Sequence, residues 1–228
     1  MKAGPVSRRL LRQLSIGAAV LVAAAGCSSM QPADNFDAWA ARAVSADVVA
    51  ARDQAELTAD NLFAYLPVKP VAVSSVDSCV VDDDVWHSQT DQFSCSLEEI
   101  RYVPVDGALL PLLVKIDHAA LTDGLVASEP LQNVQYYFAH KGKAEGLQLP
   151  KPRLAYEGGF GIVAVNWNDP AFPQPMEAPT TYPARWPTVY RTQTPALDVA
   201  KLSAGHDNML AILVSQTYFK IPWSASTG

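Results

Sequence analysis

Asp77, Asp82, Asp83, Asp84 and Asp91 place five carboxylates close together, and His87 adds an imidazole among them. Hard cations such as Ca²⁺ take carboxylate oxygens, so this run is the first candidate for chemistry. The calcium-loop spacing with its central glycine is absent. A solvated acidic loop explains the run equally well, and no metal site is assigned. The four histidines are His87, His118, His140 and His206. None stands in His-Glu-x-x-His, and no two share a helical face at metal spacing. Asp117-His118 and His206-Asp207 are adjacent pairs, and neighbouring side chains rarely aim at one substrate. Turn and cap roles fit them better. There is no Gly-x-Ser-x-Gly elbow, and no Ser-x-x-Lys beyond the leader. A triad can still assemble from distant positions. Gly158-Gly159-Phe160-Gly161 lies in a hairpin pattern, so its glycines read as turn chemistry. No catalytic residue and no cofactor is assigned.

The N-terminus carries the sharpest signal. Lys2, Arg8, Arg9 and Arg12 are followed by an apolar run from Leu14 to Ala25, then by Ala24-Ala25-Gly26-Cys27. A basic start, a short apolar stretch and small residues define a secretory leader. The run is too short to span a bilayer, which takes roughly 20 residues as a helix. Small residues set directly before Cys resemble the lipobox of bacterial lipoproteins. Ala25 and Gly26 fill the small positions, and Cys27 would receive the lipid. Ala24 departs from the family, where Leu is preferred. The resemblance covers the leader alone. It implies a signal peptide over residues 1–26 and a tether over 27–36, and the length that remains, 37–228, fits one domain that includes the Pro-rich arm. It also implies a chain anchored at the cell membrane or outer membrane through lipid (palmitate or a similar acyl group) on Cys27, facing out of the cytoplasm. Ser28 lacks the Asp that favours inner-membrane retention. Ser7-Arg8-Arg9-Leu10-Leu11 resembles the twin-arginine export motif. Arg12 departs from it, and a basic leader with two adjacent arginines is the alternative.

Composition bounds the rest. A chain 49% hydrophobic and 18% charged is globular in composition. Loss of the leader removes four positive charges and no negative ones, taking the formal charge from −6 to −10. An acidic domain disfavours nucleic acid and anionic lipid headgroups. Outside the cytoplasm, the two remaining cysteines, Cys79 and Cys95, read as a disulfide. A metal or redox pair is the alternative, and the spacing is not the Cys-x-x-Cys of redox pairs.

These groups need elements to hold them. Residues 37–66 have helical spacing of apolar positions, with Asp34 and Asn35 as candidate caps and Pro67 as the stop. Val48–Leu66 is the firmer part. Arg52 and Glu56 stand at i,i+4. Val71–Val76 reads as a strand. Cys95–Val105 and Leu109–Ile116 read as strands joined at Asp106-Gly107. Residues 117–131 are ambiguous. Asn133–His140 alternates like a strand, and Lys141-Gly142-Lys143 turns the chain. Arg153–Trp167 reads as a hairpin about Gly158-Gly159, with a return strand apolar on both faces and therefore central. Prolines 170, 173, 175, 179, 183 and 187 exclude regular structure. They make residues 170–187 an extended arm whose Phe172, Tyr182 and Trp186 are a candidate partner surface. The bland alternative is a loop covering a sheet edge. Thr188–Gln193 can pair briefly, Thr194-Pro195 opens a short helix closed by Gly205, and Met209–Ile221 is a last strand. The expected fold is α+β: an N-terminal helix packed on a mainly antiparallel sheet, with one disulfide and a Pro-rich arm.

Three functions fit. The first is a membrane-anchored, non-catalytic envelope module with a structural or partner-binding role. The second is a carrier of lipid or another amphipathic ligand, which needs an apolar cavity between sheet and helix. The third is an extracytoplasmic hydrolase, which needs a cleft with a titratable pair within hydrogen-bond reach.

Overall fold

The structure is a computed structural model, and it describes residues 36–81, 91–159, 161–168, 187–194 and 197–222. The fold is α+β, with helices packed on an antiparallel sheet. In place of one helix over 37–66 there are two, α1 (Phe36–Ala43) and α2 (Ala46–Tyr65). The break has a local cause. The Ser45 hydroxyl donates to the Arg42 carbonyl at 2.6 Å, and Arg42 reaches over the break to Asp47 at 2.7 and 2.5 Å. A side chain that satisfies the backbone of its own turn competes with helix continuation. The end of α2 is as expected: Leu66 is extended before Pro67.

Strands β1 (Ala72–Val81) and β2 (Asp91–Val105) pair antiparallel, and Cys79 lies directly opposite Cys95. The two form the disulfide, with Cα atoms 4.0 Å apart. The next expectation fails. Leu109–Ile116 is not a strand but the first half of α3 (Leu109–Thr122). The apolar run hides a helical period: Leu109, Leu113, Ile116 and Ala120 are buried and the residues between are largely not. Pro111 falls in the first turn, where its missing N–H breaks no helical bond. The ambiguous stretch gives β3 (Val126–Glu129). Asn133–His140 is likewise helical, within α4 (Leu131–Ala139). Val134 and Tyr137 are buried while Tyr136 is exposed, a three-residue step that the alternation of 134, 136 and 138 concealed.

A small ribbon, β4 (Lys143–Ala144) and β5 (Leu147–Gln148), leads to the expected hairpin of β6 (Leu154–Gly158) and β7 (Gly161–Trp167). Its turn differs in detail. Gly158 pairs with Gly161, and it is Gly161 that takes the left-handed φ of +151°. A Cβ there would collide with the Ser215 carbonyl oxygen of the neighbouring strand, so glycine is required. Strand β8 (Thr188–Gln193) pairs with β1. The short helix α5 (Val199–Ser203) is capped by Asp198 and not by Thr194. Thr194 accepts instead from the Ser75 N–H at 2.8 Å, extending the β1–β8 contact.

The last strand, β9 (Asn208–Pro222), lies at the centre of the seven-stranded sheet, whose order is β3-β6-β7-β9-β2-β1-β8. Its alternation serves two layers. Leu210, Ile212 and Val214 face the helices in one core with Leu62, Phe63, Leu113, Ile116, Leu154, Tyr156 and Trp167. Met209 and Ala211 face the other way, with Ile100 and Tyr102, and are covered by Leu197, Val199 and Leu202 around α5. Each such aliphatic side chain contributes roughly 1.5–3 kcal/mol when fully buried. A third cluster joins Trp39, Ala43 and Val48 of the N-terminal helices to Val81, Phe93 and the disulfide.

The disulfide closes the hairpin ends of β1 and β2. Replacing both Cys79 and Cys95 by Ala should cost about 3 kcal/mol, the loop-closure entropy of a 15-residue loop. Urea unfolding of the double variant against the oxidised chain measures it. Equal midpoints would show that the strand pairing alone restrains this loop.

Candidate functional site

Cys27, the acidic residues Asp82, Asp83 and Asp84, His87, and the arm residues Phe172, Tyr182 and Trp186 all lie outside the described residues. Asp77 stands in β1, with Arg52 and Tyr218 as its side-chain partners. Among the described residues no group of three His, Cys, Asp or Glu side chains is placed to hold a metal, and no helix is long and apolar enough to cross a membrane.

The most concentrated polar chemistry is a buried triad under α2. The β2–β9 register shifts between Cys95 and Ser96, so that Phe219 pairs with Cys95, Thr217 pairs with Ser96, and Tyr218 is the extra residue. The bulge turns the Tyr218 phenol toward β1, where it donates to Asp77 Oδ1 at 2.7 Å. Arg52 Nε forms an ion pair with Asp77 Oδ2. Arg52 also donates to the Tyr218 oxygen at 3.4 Å, and its guanidinium lies 4.5 Å from the Tyr190 ring centroid. Arg52 therefore turns inward to Asp77 instead of pairing with Glu56 along the helix. Burial pushes the Asp77 carboxyl up, against the downward pulls of the Tyr218 hydrogen bond and the Arg52 charge. Burial, reinforced by the bond to Asp77, pushes the Tyr218 phenol well up.

This is the composition of an acid–base site but not the setting of one. Asp77 is 5% exposed, both of its oxygens are engaged, and the Arg52 side chain is closed in by two tyrosine rings. A substrate has no approach to it. The triad ties α2 to β1, β8 and β9. Tyr156 does the same for α3: its hydroxyl donates at 2.9 Å to Asp117, inside the core. Of the two Asp/His pairs, His206-Asp207 takes the turn role expected of it, whereas Asp117-His118 lies within α3 and not at a turn or cap. His206 Nδ1 is 2.9 Å from Asp106 Oδ1, and Asp207 accepts from the Gly107 N–H at 2.7 Å, so neighbours grip two points of one turn. His118 sits beside Thr122 of its own helix.

A concave surface lies elsewhere. A cleft of about 320 Å³, open to solvent, runs between α4 and the extended segment 149–152. One wall is the α4 face bearing Asn133, Tyr136 and Tyr137, at steps of three and four residues. Leu149, Pro150, Lys151 and Pro152 form the other wall, and Glu129 closes one end. Each wall is pinned. Leu149 N–H donates to the Gly142 carbonyl at 2.8 Å. Lys151 Nζ donates to the Trp167 carbonyl, at the end of β7. Glu129 Oε1 accepts from Arg153 Nε at 2.7 Å. Gly142, at φ +71°, makes room for the Tyr137 ring, which a Cβ would meet at 3.1 Å. The charged cleft residues Lys151 and Glu129 thus already hold structural partners.

None of the cleft residues was singled out from sequence. Reading 133–140 as a strand put Tyr136 and Tyr137 on opposite faces and hid the wall they form. The signal available was Tyr136-Tyr137 taken in helical register opposite Pro150-Lys151-Pro152. No family model, no curated protein and no solved structure matches this chain.

Two outcomes follow from the buried charges. Arg52→Leu should destabilise by about 3–5 kcal/mol, because it strands Asp77 without its counter-charge, and Arg52→Leu with Asp77→Asn should recover part of that loss. Denaturant melts of the two variants check this, and an equal loss in both would show that packing of the guanidinium, not charge, is what matters. Glu98, half-buried on the face of β2 opposite α2, has its carboxyl pushed up by burial. The folded state then holds its proton more tightly than the unfolded chain, so stability falls as pH rises from the ordinary glutamate value through the raised one. Glu98→Gln should melt higher than the parent at pH 7 and together with it at pH 4. A lower melting temperature at pH 7 would contradict the assignment.

Proposed function

We propose that the chain is a lipid-anchored module of the cell envelope that binds a partner and carries out no covalent chemistry. The observation that carries this reading is the filled interface between sheet and helices. Trp167, Tyr156, Leu113, Ile116, Leu154, Leu210 and Ile212 occupy it with at most 1% exposure. A carrier of acyl chains needs that space open, on the order of 300 Å³ or more. A hydrolase needs a titratable pair facing a cleft. The polar triad is sealed, and the cleft's charged groups are engaged. What remains is a rigid domain with a small open cleft, joined to a leader that resembles that of lipoproteins. Membrane attachment is then through acyl chains on Cys27, since an acidic domain gains little from anionic headgroups. Each buried methylene of the anchor adds roughly 0.8 kcal/mol, and more than one chain makes the attachment durable.

Fractionation of cells producing the full chain tests the anchor. The parent should sediment with membranes and release only with detergent, and its N-terminal peptide should begin at an acylated Cys27. Cys27→Ser should leave the chain unprocessed, with its leader attached. A Cys27→Ser chain that is still cut at Cys27's position and still membrane-bound would overturn the lipid anchor.

A further inference from the structure

We infer that the cleft between α4 and residues 149–152 binds a short stretch of neutral glycan, an assignment that rests on the envelope reading above. Tyr136 presents a half-exposed ring, 49% accessible, packed against the His140 ring at a centroid distance of 4.0 Å. A fixed aromatic face offers its electron-rich surface to the C–H groups on one side of a sugar ring. Asn133 lies one helical turn before Tyr136 on the same wall, and its carboxamide has no partner among the described residues. That group both donates and accepts. Glu129 has one oxygen held by Arg153, which fixes the carboxylate and leaves Oε2 to accept. Neighbouring sugar hydroxyls likewise donate and accept, so an amide and an oriented carboxylate beside an aromatic platform match a polyol. The cleft volume of about 320 Å³ is at the lower end for ligand sites and suits one or two sugar rings.

The charge pattern narrows the ligand. Lys151 is drawn back to the Trp167 carbonyl and Glu129 is neutralised by Arg153, so the cleft favours neither phosphate nor a cationic group. A proline-rich peptide is the competing occupant, because aromatic and proline side chains line grooves of that kind. Such a peptide presents mainly carbonyl acceptors and needs successive exposed rings. Here Tyr137 is buried, leaving Tyr136 as the exposed ring, and Glu129 would set an acceptor against acceptors.

The test titrates the full processed chain in detergent micelles with chitotriose and with maltotriose, followed by calorimetry, using a proline-rich decapeptide as the comparison ligand. At least one trisaccharide should bind saturably. Tyr136→Ala should weaken it by about tenfold or more, and Asn133→Ala by about threefold. Leu147→Ala, at an exposed site on β5, should bind as the parent does. Melting temperatures of all three variants should match the parent, since each side chain is exposed. Failure of both trisaccharides at millimolar concentration, binding that ignores Tyr136→Ala, or capture of the decapeptide in their place would overturn the inference. A chain that fractionates with membranes yet ignores both sugars overturns the glycan assignment alone. A chain found in the cytosol removes the envelope reading beneath it.

Discussion

Strand β9, Asn208–Pro222, hydrogen-bonds β7 on one side and β2 on the other, so the last strand of the chain occupies the middle of the sheet. The other described strands of this sheet fall into two groups on either side of it. The β1–β2 pair, joined by the disulfide, carries β8 on its outer edge; β3, β6 and β7 form the second group. Among the described strands, only β9 connects them. Leu210, Ile212 and Val214 also supply the centre of the helix-side core, and Met209 and Ala211 the opposite layer. Neither layer can close before this strand arrives, which makes the pairing non-local and the folding slow by topology.

The helices are then fixed from that strand outward. Gln216 of β9 donates to the Ala55 carbonyl at 2.6 Å, and Tyr218 completes the Arg52–Asp77 pair, so α2 is tied to β9 by two buried polar contacts besides its apolar face. Buried polar pairs add little net stability but restrict how a helix can sit, because any other register leaves a charge unpaired. The cleft belongs to the other end of the sheet. Its walls hang on Trp167 through Lys151 and on the β3 end through Glu129 and Arg153. The cleft therefore stands on the core without drawing on the triad, and its exposed residues Tyr136 and Asn133 lie outside the core clusters.

The sequence announced some of this directly. The cysteine pair, the Pro67 stop, the β6–β7 hairpin and the last strand each followed from a short-range rule about spacing or a backbone restriction. The failures share a cause. Leu109–Ile116 and Asn133–His140 are short apolar runs, and such runs satisfy both strand and helix templates until a partner surface decides. In α3 the decision came from the core that Leu113 and Ile116 enter, and in α4 from Val134 and Tyr137. The central place of β9, the inward turn of Arg52 and the cleft itself depend on residues distant in the chain, such as Asp77 with Tyr218 and Lys151 with Trp167. Local patterning carries no record of those meetings.

In the function we propose, this domain holds no ligand inside and meets its partner at the surface. Native mass spectrometry of the full chain, released gently from membranes, addresses it most directly. The expected result is one mass, that of the acylated polypeptide with its disulfide intact, and no co-purifying amphiphile in the interior. A stoichiometric lipid that stays bound after the detergent is stripped, and that protects core amides such as those of Leu210 and Ile212 from exchange, would contradict it.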